Sequence, residues 1–298
     1  MGNNCLILGT AQLGSPYGIA NTIGQPTQAQ ANMLVRTALE GGVTCFDTAQ
    51  AYGHSEYVLG AALSAANATE SARVITKLAP VLPTTYGAIE ESLADSLARI
   101  HVPYFQCVML HREEQIPLLD SYVGTALTAC RDAGMLRNIG VSVYTPAMAL
   151  AALHHPAVSV VQIPASLADR RFECAGIFDL AAKIGKEVHI RSVFLQGSLL
   201  MSENRLPPWL SMLRPYIAAI HDLAALYDVT PACLSLGWIC QRFPDAKVLF
   251  GAESVWQVRE NINYMRQAAL LPADVWHACD AIIPPQTAEL LNPALWKK

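Results

Sequence analysis

The chain has 298 residues, of which 52% are hydrophobic and 15% are charged, and its formal net charge is −4. This composition suits one large buried core, and the small negative charge gives no electrostatic basis for binding nucleic acid. No apolar run reaches the length of about 18 residues that a membrane span needs, so we predict no membrane segment. The N-terminus lacks a basic segment followed by a long apolar one, so we expect no secretory signal.

Cysteine usage indicates a reducing compartment and no metal site. The eight cysteines include no CxxC pair, and Cys45, Cys107, Cys233 and Cys240 lie within apolar patterns. Because free cysteine behaves as a small buried hydrophobe, reduced thiols in a cytoplasmic protein are the simplest interpretation. No cysteine and histidine spacing resembles a zinc site, so we predict no metal.

Short apolar runs alternate with helical patterns along the whole chain. The predicted strands are, in order, Leu6–Thr10, Val43–Asp47, Val74–Leu78, Phe105–Leu110, Asn138–Val141, Val158–Ile163, Val188–Ser192 and Lys247–Phe250. The predicted helices include one capped by Thr27 and running to Glu40, one opened by Thr84 or Thr85 and running to Ile100, one ending near Gly185, and the segments Ser55–Leu63, Tyr122–Ala133, Pro146–Leu153, Leu210–Tyr227, Pro231–Arg242 and Val255–Met265.

These eight strand–helix units predict an α/β fold, a closed (β/α)8 TIM barrel that forms a single domain over residues 1–298. We expect residues from about 271 to 298 to pack on its rim. The competing fold is an open doubly wound sheet, which usually has a glycine-rich turn after its first strand. Here the segment from Gly9 to Gly14 has the wrong spacing for that turn.

Four polar residues stand where the second, third and fourth predicted strands end. Asp47 and Lys77 end two apolar runs, Tyr52 lies in the loop after Asp47, and His111 follows the run Val108–Leu110. Since active sites of such barrels lie at the carboxyl ends of the strands, we expect the four side chains to share one mouth. Taken singly, each residue also has a structural explanation, such as a turn, a packed ring or a hydrogen-bonded histidine.

This set of residues suits the reduction of a carbonyl by hydride transfer, in which a developing alkoxide must receive a proton. Tyr52 is a poor acid near its ordinary pKa of about 10. We expect the Lys77 ammonium to stabilise the phenolate and so to lower that pKa. Asp47 would hold the lysine charged and aimed, and His111 would position the carbonyl oxygen.

From Leu8 to Asn261 the chain resembles the aldo-keto reductase family. The segments that carry the resemblance are FDTAQAYG at 46–53, ITK at 75–77 and MLHREE at 109–114. It implies a (β/α)8 barrel in which Asp47, Tyr52, Lys77 and His111 form the catalytic tetrad, with Tyr52 as general acid/base. It also implies a nicotinamide dinucleotide bound across the mouth without a separate dinucleotide-binding domain.

The resemblance further implies where this cofactor is held. Its expected contacts are, from the nicotinamide to the adenosine end, Ser142, Gln162, Arg191, Gln196, Gly197, Gly251, Ser254, Gln257, Glu260 and Asn261. Val143 stands where the family usually has an asparagine, and Arg191 replaces an aromatic residue that stacks on the nicotinamide. Trp256 and Arg259 are interpreted as residues of the helix surface.

The expected cofactor is NADPH, with NADH as the alternative. Gln257 stands where many NADPH-preferring relatives have an arginine, which removes a strong partner of the 2′-phosphate. We expect Ser15–Asn21 either to shape the substrate pocket or to be a plain connector, and Met201–Pro208 to form a lid. The expected partner is a small carbonyl or alcohol substrate.

Two other functions remain open at this stage. One is a regulatory barrel that binds a nucleotide without turnover, and the other is a lyase or isomerase that forms a Schiff base on Lys77. The sequence leaves open the substrate, the physiological direction of the reaction and the oligomeric state.

Overall fold

The computed structural model describes residues 5–282 and 287–296. Its centre is a barrel of parallel strands, in which each strand pairs with the next and the last pairs with the first. The strands are β1 Leu6–Gly9, β2 Cys45–Asp47, β3 Arg73–Lys77, β4 Phe105–Leu110, β5 Leu136–Ser142, β6 Val160–Pro164, β7 Glu187–Arg191 and β8 Lys247–Gly251. The predicted (β/α)8 barrel is confirmed, and the open sheet is excluded because β1 pairs with β8.

Helices alternate with the strands and form the outer layer. The α-helices are α1 Ala11–Gly14, α2 Gln28–Glu40, α3 Ser55–Ala65, α4 Tyr86–Ile100, α5 Tyr122–Asp132, α6 Pro146–His154, α7 Arg171–Cys174, α8 Ile177–Lys183, α9 Arg214–Leu226, α10 Pro231–Arg242, α11 Val255–Ala268, α12 Ala273–Asp280 and α13 Ala288–Leu291. The 3-10 helices are Glu113–Asp120, Leu195–Leu200, Glu203–Arg205, Pro208–Leu213 and Pro293–Leu295.

Side-chain caps fix where several helices begin. Thr27 accepts a hydrogen bond from the Gln30 amide, and the Gln30 side chain accepts one from the Thr27 amide, which makes a capping box at the predicted start of α2. Thr85, rather than Thr84, caps α4. The other caps are Thr145 on α6, Thr230 on α10 and Ser254 on α11.

Two predicted helices are divided in the structure. The helix expected to end near Gly185 is split into α7 and α8 by Gly176, whose φ of 69° lies in the left-handed region that stops a helix. The expected helix Leu210–Tyr227 begins as the 3-10 helix Pro208–Leu213 and becomes α-helical only at Arg214. Composition and periodicity do not distinguish 3-10 turns from α-helical turns.

The core has two apolar layers. A large layer lies between the strands and the helices, and a smaller one fills the barrel interior with Ile7, Cys45, Ile75, Cys107, Met109, Val160 and Leu249. The four cysteines expected in apolar surroundings are buried, and all eight are free thiols. Burial raises the pKa of the Cys45 thiol to about 12, as expected for an inert core cysteine.

The described part of the C-terminal segment packs against α9 and α10. Nε1 of Trp238 donates to Oδ1 of Asp280 at 2.9 Å, and Nη2 of Arg170 donates to the Cys279 carbonyl at 2.7 Å. Residues 283–286 and 297–298 of the expected rim segment, including Pro284 and Pro285, lie outside the described residues.

Within the described ranges, no single helix is long and apolar enough to cross a membrane. In the same part of the chain, the adjoining segments Pro208–Leu226 and Pro231–Arg242 pass that test together, and they are bent by 93°.

Candidate active site

The four predicted catalytic residues meet at the carboxyl ends of the strands. Asp47 ends β2 and Lys77 ends β3, while His111 follows β4 and Tyr52 lies between β2 and α3. Lys77 is 1% exposed and its Nζ donates to Oδ1 of Asp47 and, at 3.3 Å, to the Thr48 carbonyl. Nζ lies 5.2 Å from the centre of the Tyr52 ring, and the Tyr52 and His111 rings pack edge to face at 5.6 Å.

Asp47 is held from the opposite side of the barrel as well. Nε2 of Gln162, on β6, donates to Oδ2 of Asp47 at 2.8 Å. Both carboxylate oxygens therefore have a partner, and the bond spans the barrel from β6 to β2. It follows that the Lys77–Asp47 pair lies close to the barrel axis.

Two glycines allow the Tyr52 loop to pack on the loop after β1. A Cβ on Gly14 would lie 1.6 Å from the Tyr52 carbonyl oxygen, and a Cβ on Gly53 would lie 2.4 Å from the Gly14 carbonyl oxygen. Buried hydroxyls join the same loops, because Oγ of Ser55 donates to the Thr10 carbonyl at 2.8 Å and Oγ1 of Thr10 donates to the Asp47 carbonyl at 2.9 Å. Backbone approach and hydrogen bonding thus fix Tyr52 relative to Asp47.

The pKa of Tyr52 lies above its ordinary value. Burial is the largest cause, the Asp47 charge raises the pKa further, and Arg191 lowers it. The expected lowering by Lys77 is therefore not the net outcome, because Asp47 compensates the lysine charge directly and the phenolate is poorly solvated. At neutral pH Tyr52 carries its proton, which suits a proton donor.

His111 is neutral at neutral pH. Burial lowers the pKa of its imidazole to about 4, with the Lys77 charge as the second cause. Its Nδ1 atom is buried without a hydrogen-bond partner among the described residues. A neutral imidazole beside the Tyr52 ring can orient a carbonyl oxygen without adding charge to the site.

A cavity of about 540 Å³ opens from this cluster. The predicted site residues that line it are Asp47, Tyr52, His111, Ser142, Gln162, Arg191, Gln196, Gly197, Gly251, Gln257, Glu260 and Asn261. Lys77 and Ser254 do not line it; Lys77 is buried in contact with Asp47, and Ser254 caps α11. The cavity is also bordered by Tyr17, Gly18 and Ala20 of the Ser15–Asn21 loop, and by Met201, Ser202 and Arg205 of the expected lid.

Arg191 is stacked on Tyr144, a residue that the sequence analysis missed. The guanidinium carbon lies 4.0 Å from the centre of the Tyr144 ring, and Nη2 donates to the Val143 carbonyl at 3.0 Å. The Tyr144 amide donates to Oε2 of Glu113 at 2.6 Å, which anchors the loop after β5. The Val143 carbonyl thus holds Arg191 in place.

The loop after β7 has an unusual backbone. Ser192, Leu195 and Gln196 have φ values of 63°, 47° and 55°, which are uncommon for residues other than glycine. Gly197 follows with φ of 85°, and a Cβ there would lie 2.5 Å from Cβ of Ala20. Oε1 of Gln196 is buried without a partner among the described residues. Such strained segments cluster at ligand-binding sites, and this one lies along the cavity.

The start of α11 borders the far part of the cavity. The Asn261 Nδ2 atom donates to the Gln257 carbonyl at 2.7 Å, and its Oδ1 atom is buried without a partner in the described chain. An acceptor in that position fits the amino group of an adenine. Trp256 is 65% exposed, as expected for the helix surface, but it also borders the cavity, whereas Arg259 is exposed and does not.

A sequence model of the Aldo/keto reductase family matches residues 5–284. The chain belongs to the aldo/keto reductase family. Its relatives include an uncharacterised oxidoreductase of Mycobacterium bovis, 31% identical over 287 residues that cover 86% of this chain and 82% of the relative. A 6-dehydroglucose reductase of Novosphingobium aromaticivorans is 33% identical over 43% of this chain and 46% of its own.

Solved structures of aldo/keto reductases share the fold. The holo form of an enzyme from Bacillus halodurans has a TM-score of 0.74 at 21% identity and covers 95% of this chain and 94% of its own. A glycerol dehydrogenase of Gluconobacter oxydans has a TM-score of 0.76 at 22% identity, covering 93% of this chain and 90% of its own.

The packing of the Tyr52 loop gives a first prediction. Gly14→Ala should lower the free energy of unfolding by about 1–3 kcal/mol, the usual effect of overpacking, because the new methyl group overlaps the Tyr52 carbonyl. Gly87→Ala is the control, since Gly87 in α4 has no atom within 4 Å of the new Cβ and should gain about 0.5–1 kcal/mol. Urea unfolding measures both, and equal stabilities of the two variants would contradict the close packing.

Proposed function

We propose that this aldo/keto reductase transfers hydride reversibly between a nicotinamide dinucleotide, NADPH or NADH, and a small carbonyl or alcohol substrate. The observation that carries the proposal is the convergence of Tyr52, His111 and the Lys77–Asp47 pair at one cavity. A fluorescence titration with both reduced cofactors, followed by a screen of aldehydes, ketones and sugars for loss of their absorbance, tests it. Absence of binding by both NADPH and NADH would contradict the proposal.

In this proposal Tyr52 is the general acid and base. The chemistry supplied by a bound nicotinamide dinucleotide is the gain or loss of a hydride. In reduction, the Tyr52 hydroxyl gives its proton to the substrate oxygen as the alkoxide develops, and in oxidation the phenolate takes a proton from the alcohol. His111, neutral, orients the substrate oxygen, and Lys77 stabilises the charge that remains on Tyr52.

The residues that line the cavity carry the types of chemical group that a nicotinamide dinucleotide needs. Ser142 and Gln162 supply polar groups beside the tetrad for the nicotinamide amide, and Gln196 and Gly197 border the cavity in the strained loop after β7. Farther out, Gln257, Glu260 and Asn261 border its far part, with the buried Asn261 acceptor fitting an adenine amino group. Ser254 supports them by capping α11.

The substrate class stays broad in this proposal, as an aldehyde, ketone or sugar. Relatives named glycerol dehydrogenase and 6-dehydroglucose reductase support the inclusion of hydroxylated substrates. The free thiols support a location in a reducing compartment such as the cytoplasm.

The two other functions fit less well. A Schiff base requires a neutral, accessible amine, whereas Lys77 is 1% exposed and its ammonium directly contacts the Asp47 carboxylate. A regulatory barrel without turnover would not need Tyr52, His111 and this ion pair to converge.

The role of Tyr52 gives a second prediction. Tyr52→Phe keeps the ring and removes the proton donor, so turnover should fall by at least about 100-fold, the usual scale for general acid catalysis, while cofactor binding persists. Tyr57→Phe, at an exposed position of α3, is the control and should keep both properties. Steady-state turnover and cofactor fluorescence measure them, and near-normal turnover of Tyr52→Phe would rule out this assignment.

The Lys77–Asp47 pair gives a third prediction. Lys77→Met leaves the Asp47 charge without its ion-pair partner, and we expect that charge, which already raises the pKa of Tyr52, to raise it further. Oxidation requires the phenolate, so its remaining rate should move to higher pH. Reduction uses the protonated form, which already predominates at neutral pH, so its rate should not change with pH there. Lys183→Met, at an exposed position of α8, is the control.

Rates across a pH series in both directions measure this effect. Borohydride treatment of the wild-type protein with substrate tests the Schiff-base alternative in parallel. Covalent trapping on Lys77 without consumption of cofactor would overturn the reductase function. An unshifted pH profile for oxidation in Lys77→Met would contradict the electrostatic role proposed for the lysine.

A further inference from the structure

We propose that Glu253 makes this protein select a dinucleotide whose ribose 2′-hydroxyl is free, NADH, over its 2′-phosphorylated counterpart, NADPH. This inference rests on the proposed function and reverses the NADPH preference that the sequence resemblance implies. Glu253 lies between β8 and α11, and it borders the cavity together with Gln257 and Glu260.

The position of the adenosine half follows from the shape of the cavity. The bond from Gln162 to Asp47 crosses the barrel and locates the tetrad near the axis. In contrast, α10 and α11 belong to the outer layer, and the cavity reaches Thr230, which caps α10, and Tyr264 on α11. Hydride transfer requires the nicotinamide at the tetrad, so the other nucleotide must extend towards α10 and α11.

Two of the backbone donors around the start of α11 are already occupied within the chain. Oγ of Ser254 accepts from the Gln257 amide at 3.2 Å. Oε1 of Gln257 in turn accepts from the Glu253 amide at 2.6 Å. Two backbone donors that would otherwise attract an anion are thus satisfied internally, and Gln257 is held in that contact rather than left to bind the ligand.

Glu253 adds a repulsive charge at the same place. Glu253 is half-buried, in partly dehydrated surroundings where charges interact more strongly than in water. Burial raises the pKa of its carboxyl, and a hydrogen bond with the Gln257 side chain acts in the opposite direction. No cation lies within ion-pair distance of it in the described part of the chain. A neighbouring 2′-phosphate would repel it, whereas a ribose hydroxyl can donate a hydrogen bond to it, as acidic residues accept in other NAD sites.

Arg205 is the rival to Glu253. It borders the same cavity from the expected lid, and its charge would attract a 2′-phosphate. However, Arg205 is exposed while Glu253 is half-buried, and exposed charges are weakened by solvent and salt. The half-buried carboxylate should therefore dominate the selection.

The test compares ligands that differ only in the 2′-phosphate. Calorimetric titration of the wild-type protein with NADH and NADPH, and with the fragments 5′-AMP and 2′,5′-ADP, should show tighter binding of the unphosphorylated member by about tenfold or more in each pair, which corresponds to about 1.4 kcal/mol. The fragments report on the adenosine end alone and require no turnover.

Glu253→Gln is isosteric and should lose most of this preference, and Glu253→Ser is a second variant that removes the carboxylate by shortening the side chain. Adding Gln257→Arg to Glu253→Gln should reverse the preference by supplying a charge-assisted partner. Glu203→Gln is the matched control, because Glu203 is an exposed carboxylate of the lid segment that does not line the cavity. Thermal unfolding checks that each variant is folded.

Each outcome decides a separate point. Tighter binding of NADPH and 2′,5′-ADP by the wild-type protein, lost in Arg205→Met, overturns the role of Glu253 and leaves the proposed function standing. A preference for NADH that survives in folded Glu253→Gln and Glu253→Ser also overturns it. Absence of binding by both NADH and NADPH counts against the proposed function itself.

Discussion

The buried contact between Lys77 and Asp47 is the constraint on which the rest of the site depends. A lysine that is 1% exposed is costly unless its charge is paired, and removing one partner of such a pair typically costs several kcal/mol. The pair fixes the ends of β2 and β3 relative to each other, and Gln162 extends it across the barrel to β6. Tyr52 and His111 then pack next to this ion pair, whose position is fixed because its two charges compensate each other.

The same pairing changes the electrostatic role that the sequence suggested for the lysine. With the Lys77 charge compensated, burial dominates and the pKa of Tyr52 rises, while Arg191 is the nearby cation that lowers it. Arg191 in turn is aligned by its stack on Tyr144 and by the Val143 carbonyl. The sequence identified Lys77 and Asp47 correctly as neighbours, but the charge balance at Tyr52 depends on residues of β5 and β7 that only barrel closure brings near.

The features that the sequence could predict are those set by the order of the strands, and the others depend on contacts that form only when the barrel closes. The barrel and the meeting of Asp47, Lys77 and His111 were predictable because strand ends in a parallel barrel share one face. The contacts of Gln162 with Asp47, of Tyr144 with Arg191 and of the Gly14 loop with Tyr52 were not, because they join residues distant in sequence through exact loop geometry. For the last of these contacts Gly14 and Gly53 gave a local signal, since glycines often mark close backbone approach.

The two parts of the cavity differ in whether their charged side chains have an ion-pair partner. At the barrel axis Lys77 compensates Asp47, His111 is neutral and Tyr52 keeps its proton, so the site can accept the developing charge on a substrate oxygen without reorganising its own ions. At α11 the half-buried Glu253 has no ion-pair partner in the described chain, and its own amide and that of Gln257 are already hydrogen-bonded. In the two proposals, chemistry at the axis and choice of cofactor at the outer layer are therefore set by separate residues. We therefore expect a change at Glu253 to alter which dinucleotide binds without disturbing the Lys77–Asp47 ion pair on the barrel axis.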